Sequence, residues 1–192
     1  LSDKADGTFL WVGLACSELK LVDSKEAVKT LQALPKGLHL LYDKLLHTAL
    51  NSKTEEDQAT IKRILSSVMV ALRPLSLSEL SVVCQIHQGE DEEDRIQFTR
   101  EEIESCRLLI TIQDETVLQL HQSVKDFLVW SGPDCFINDC EAHADIAHRC
   151  VDEIIQSFYT ETKQNNVALN GDLSSYSIQF WAHHAHMAGP KF

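Results

Sequence analysis

Glycine is scarce in this chain: seven residues in 192, none of them clustered. No glycine-rich loop is therefore present whose backbone amides could cradle phosphates, and the chain cannot by itself hold a triphosphate in that way. A Gly-x-Ser-x-Gly nucleophile turn is missing too. Basic residues are outnumbered, with 17 Lys and Arg against 29 Asp and Glu and a net charge of −12. Such a surface repels phosphate backbones and anionic membranes. No apolar run approaches the roughly 18 residues that span a bilayer. The six cysteines, Cys16, Cys84, Cys106, Cys135, Cys140 and Cys150, follow no disulfide framework or paired zinc spacing, and reduced thiols in a cytoplasmic protein are expected. An initiator Met, a signal peptide and a transit segment are also absent at Leu1, so the chain reads as a piece of a longer protein.

What is there is helix after helix with one β interruption. GTFLWVGLACSELK reads as a buried helix after Asp6-Gly7. SKEAVKTLQAL puts Val28, Leu31 and Leu34 on one face and stops at Pro35-Lys36-Gly37, and GLHLLYDKLLHTAL carries Leu38, Leu41, Tyr42, Leu45, Leu46 and Ala49 at helical spacing. Thr54 caps an acidic first turn ahead of Ile61, Ile64, Leu65, Val68, Met69 and Leu72, and Arg73-Pro74 ends that helix. Two capping boxes are predicted, at Ser76–Glu79 and Thr99–Glu102. Gly89–Asp94 between them is a solvated loop. Leu108–Ile112 and Val117–Leu120 flank Asp114-Glu115 as a hairpin. Ser123–Trp130 is helical and Gly132-Pro133 breaks it. Asn138–Phe158 is amphipathic through Ile146, Cys150, Val151, Ile154, Ile155 and Phe158, and a polar loop over Thr160–Asp172 precedes a final helix, YSIQFWAHHAHMA. Three helices, a hairpin and a following helix over about residues 58 to 130 is the order of a winged-helix domain.

A winged helix suggests DNA, but the charge argues against it. From Leu77 to His121 there are 11 acidic and 3 basic residues, and the element in the recognition position, TREEIESCRLL, presents Glu101, Glu102 and Glu104. Base edges and phosphates call for Arg, Lys, Asn and Gln. His183, His184 and His186 cluster near the end, and His143 and His148 lie upstream, but no second short spacing completes a metal set. These histidines are expected to be solvated or cap-forming. Ser123 follows His121 by two positions, a pairing that chance supplies in any chain this long. His121 stands where the hairpin becomes a helix; packing, catalysis or metal binding, and sensing of a bound group all remain open for it on the residues alone.

The stretches KADGTFLWVGLACSELK, LPKGLHLLYDKLL, ALRPLSLSELSVVC, IESCRLLITI and LQLHQSVKDFLV, in that order, resemble the region that follows the nucleotide-binding core of NACHT-type signalling ATPases. The likeness is to fungal proteins related to heterokaryon incompatibility, of the same broad class as NOD-like and plant resistance receptors. YSIQFWAHHAH resembles the segment before the repeats of fungal members. The resemblance implies a mainly α fold: residues 1-51 as the end of a helical lid domain, 54-131 as a winged helix with a small β-wing, and 134-192 as the start of a superhelical linker towards ankyrin or WD-type repeats.

It further implies that His121, in Leu120-His121-Gln122, takes the place of the family's nucleotide-binding histidine and reaches the β-phosphate of ADP in the resting state. Gln122 departs from the Asp of plant relatives, and Thr8-Phe9 from their Gly-Leu-Pro-Leu nucleotide contact. The phosphate-binding loop and the acidic metal-binding strand do not occur in this chain. Expected, then, is a non-enzymatic regulatory portion with no cofactor of its own, in a parent that uses ADP or ATP with Mg. Its partners would be the upstream nucleotide-binding domain, a downstream repeat domain and further copies on activation, with no nucleic acid and no membrane. A structural interaction module without a nucleotide role is the competing reading, and winged-helix DNA binding the third.

Overall fold

The computed structural model describes residues 2–20, 22–51, 53–129, 135–163 and 175–192. Two short helices, α1 (Ser2–Ala5) and α2 (Phe9–Lys20), precede α3 (Ser24–Ala33), α4 (Leu38–Leu50) and α5 (Glu55–Val70). The strand β1 (Leu75–Ser76) runs directly into α6 (Leu77–Val83), and α7 (Glu92–Ser105) leads through a 3-10 turn to β2 (Ile110–Gln113) and β3 (Thr116–Gln119). Then come α8 (Gln122–Leu128), the long α9 (Asp139–Lys163) and α10 (Tyr176–Ala188). The protein is mainly helical with a small antiparallel sheet in the order β1-β3-β2.

Local chemistry accounts for most of the boundaries. Thr54 Oγ1 accepts from the Asp57 amide at 3.1 Å while the Asp57 carboxylate accepts from the Thr54 amide at 3.2 Å, closing a capping box on α5. Ser76 and Glu79 close another on α6, at 3.1 and 3.0 Å. Asp114 and Glu115 both take positive φ, 49° and 60°, as a two-residue hairpin turn matched to strand twist requires. The Glu115 carbonyl accepts from the Leu77 amide at 2.9 Å, so the tip of the hairpin is tied to the start of α6. The strand β1 joins by pairing Leu75 with Val117 and Ser76 with Thr116; two residues are too few to show a period in sequence.

Several expectations change. Thr99 is not a cap: it is buried inside α7, and its hydroxyl donates to the Arg95 carbonyl at 2.8 Å. The cap is Asp91, which accepts from the Asp94 amide at 3.0 Å, so the acidic run expected as loop opens a helix whose dipole favours it. Helix α5 stops at Val70, before Arg73-Pro74, and Leu72 is exposed. Val28 is 63% exposed. Helix α3 is anchored at its end instead, where Leu34 is buried and Lys4 Nζ donates to the carbonyls of Leu31, Gln32 and Leu34. On α9, Ile155 and Phe158 are exposed. Helix α9 continues to Lys163, through the start of the loop expected over Thr160–Asp172; the rest of that loop, with Trp130 and Gly132-Pro133, lies outside the described residues.

The buried side chains form a continuous core from Ala5 and Trp11 through Tyr42, Ile64, Leu80, Val117 and Leu128 to Cys150 and Tyr176. The packing thus runs across all three expected segments. That continuity holds the start of α8 against α4 and creates the site described next.

Candidate functional site

His121 leaves β3 in extended backbone, φ −161° and ψ 152°, and is the N-cap of α8. Its Nδ1 accepts from the Ser123 amide at 3.2 Å and lies 2.7 Å from Ser123 Oγ. An imidazole in place of the usual short oxygen cap satisfies one of the amides that a helix start leaves orphaned. An amide nitrogen can only donate, so Nδ1 carries the lone pair and the neutral ring carries its proton on Nε2. The side chain is exposed, and Nε2–H is available to an acceptor outside this chain.

Ser123 Oγ is also 2.9 Å from the Tyr42 hydroxyl, on α4. Tyr42 is buried, and burial pushes its phenol above the ordinary range while the Ser123 contact draws it back. A cleft of about 420 Å3 opens beside these groups, lined by Leu38, His39, Tyr42, Ser123, Asp126 and Phe127. The His39 ring meets Phe127 edge-on at 4.9 Å, and Phe127 lies 5.7 Å from the Tyr42 ring. His121 thus stands at a junction of the hairpin, α8 and α4. Sequence reasoning found His121 and noted Ser123 two positions on, but left Tyr42 as a core residue. Nothing in the sequence connects residues 81 positions apart.

The remaining histidines require a correction. His143 and His184 are not solvated; they are 4% and 0% exposed. Their Nδ1 atoms are 2.7 Å apart across α9 and α10. Tyr176 accepts from the Leu72 amide at 2.9 Å, and its hydroxyl lies 2.7 Å from His184 Nε2. The arrangement that pairs every proton of this buried cluster has Tyr176 donating to His184 Nε2, His184 Nδ1–H donating to His143 Nδ1, and the His143 proton on Nε2, 3.9 Å from Asp139. Burial pulls His184 down to about 4, helped by the neighbouring His143 and His183. Burial also lowers His143, against the pull of Asp139. His183 and His186 are exposed. Among the described residues no group of three or more His, Cys, Asp or Glu could hold a metal ion.

On α7, Glu101 and Glu104 face solvent, while Arg100 is held by Glu115 at 2.8 Å and Arg95 by the Ser81 hydroxyl at 3.2 Å. Two of the three arginines between Leu77 and His121 are thus engaged within the protein itself. No helix among the described residues is long and apolar enough to cross a membrane. Phe9, which the resemblance sets beside the nucleotide contact of plant receptors, is 93% exposed.

Vegetative incompatibility protein HET-E-1 of Podospora anserina is 34% identical to this chain over 146 residues, which is 75% of the chain and 10% of that protein's length. No family model and no solved structure matches. The chain is related by sequence to a fungal incompatibility protein, of which it spans about a tenth.

Proposed function

From that kinship we propose that this chain is a regulatory portion of a NACHT-type signalling ATPase of fungal non-self recognition. It clamps the ADP-bound resting state and passes nucleotide exchange on to downstream domains. Residues 1-51 close a helical lid, 54-131 form a winged helix, and 134-192 begin a linker towards a repeat domain. The parent, a cytoplasmic protein, takes ADP or ATP with Mg on its upstream nucleotide-binding domain, and this portion contributes no catalytic group. The helix–strand–helix–helix–strand–strand order over Glu55–Gln119, with strand order β1-β3-β2, supports the winged helix.

The observation that carries the proposal is the presentation of His121. Its Nδ1 is occupied by the Ser123 amide, and its exposed Nε2–H, at the end of the hairpin, has no acceptor among the described residues. A phosphate oxygen of ADP is such an acceptor, and a hydrogen bond to a charged group contributes about 1.5–3 kcal/mol. A contact made in the resting state and absent from the open one biases the equilibrium by its whole free energy. In the complete protein, His121→Ala should therefore speed ADP release about tenfold or more and produce signalling without the stimulus. ADP off-rate and melting temperature, measured on the same variant, decide the matter. An unchanged off-rate in a destabilised protein leaves His121 as a helix cap only.

A further inference from the structure

We infer that Tyr42 and Ser123 are positioning residues for His121, forming a directed hydrogen-bond relay from α4 that locks the imidazole with Nε2–H outward. The inference rests on the reading of His121 given above. Its direction follows from which groups can donate. The Ser123 amide donates to Nδ1, so Ser123 Oγ, 2.7 Å from the same atom, also donates to it. The hydroxyl's lone pairs then accept from Tyr42, 2.9 Å away.

Tyr42 is 1% exposed, and its hydroxyl would be costly to leave unpartnered there. Ser123 is the partner it has. The aromatic ring is held in turn by Phe127 from α8. The buried end of the relay is therefore rigid and the exposed end inherits that rigidity, as a donor aimed at one oxygen requires. The relay also joins residues 1-51 to the histidine, so a displacement of α4 relative to α8 breaks the hydrogen bonds that aim His121. Successive donors along such a chain polarise one another.

Two measurements test it. In the 192-residue chain with isotope-labelled histidine, at a pH where the ring is neutral, the imidazole nitrogen shifts should report His121 wholly as the Nε2–H tautomer. Ser123→Ala and Tyr42→Phe should move it towards the tautomer mixture of a free imidazole in water, and Ser123→Thr, which keeps the hydroxyl, should restore it. Unaltered shifts in Ser123→Ala would overturn the relay, since the backbone amide alone would then suffice. In the complete protein, Tyr42→Phe should raise the ADP off-rate about fivefold, the worth of one neutral hydrogen bond. It should add nothing on a His121→Ala background, because Tyr42 acts through that ring. Additive effects would count against the relay. If His121→Ala itself leaves the off-rate unchanged, the proposed nucleotide contact fails, and the tautomer shifts still decide whether the relay exists.

Discussion

Two histidine arrangements in this protein use the same imidazole chemistry for opposite ends. His121 keeps one nitrogen inside and offers the other to the outside, whereas His184 has both nitrogens engaged and no exposure. The buried pair carries a pH dependence whose sign is fixed. The folded state holds His184 down at about 4, below the usual value of about 6.5, so on acidification the unfolded chain takes up the proton first. The stabilisation is whole above about pH 6.5 and is lost as pH falls towards 4. At one unit per 1.36 kcal/mol it amounts to about 3 kcal/mol at most. His184→Leu should flatten this slope to what His143 alone supplies and, at pH 7, cost about 2–4 kcal/mol, because Tyr176 and His143 lose their partner. Denaturant titrations of both proteins at pH 7 and pH 5 test this, and parallel slopes would reject the assignment.

At the scale of elements, the two capping boxes have the same residue pattern but different surroundings. The box on α5 stands in solvent, with Thr54 exposed. In the α6 box, burial pushes the Glu79 carboxyl up, but hydrogen bonds from Arg73 and the Ser76 amide outweigh it and hold the group below the usual range. Arg73 binds Glu79 through both guanidinium nitrogens, at 2.6 and 2.8 Å, and lies over the rings of Tyr176 and Phe180 at 5.2 and 5.7 Å. Ser76→Ala should cost about 1 kcal/mol. Glu79→Ala should lower the melting temperature more than Asp57→Ala does, since it also frees Arg73 from its place against α10. Equal thermal shifts for the two variants would show that the Arg73 stack contributes nothing.

For the whole molecule, the continuous core makes a definite statement about cooperativity. Helix α9 packs on α5, α6 and α10, and Tyr176 reaches back to the end of α5. The chain should therefore unfold in one step, with far-ultraviolet circular dichroism and tryptophan fluorescence giving coincident transitions. Two resolved transitions would mean that parts of the chain, such as residues 1-51, 54-131 and 134-192, are stable separately. The net charge of −12 acts at the same scale, and it disfavours the approach of a phosphate backbone whatever the fold.

Helix positions, the hairpin and the Ser76 box were legible in the sequence because each is set by neighbours a few residues apart: apolar period, an oxygen three residues before a carboxylate, a two-residue turn. Helix α10, read as YSIQFWAHHAHMA, occupies those very residues, Tyr176–Ala188. Where two local signals competed, sequence was a poor judge: Asp91 and Thr99 both precede acidic turns, and only the packing that buries Thr99 against the core chose between them. His121 was legible as a candidate by its place after the hairpin and by resemblance. Its tautomer, its Ser123 and Tyr42 partners, and the burial of His143 beside His184 were not. Those contacts join residues 81 and 41 positions apart, and a hydrogen bond between side chains so distant in the chain leaves no period to read. Only the folding of α4 onto α8, and of α10 onto α9, brings the donors to their acceptors.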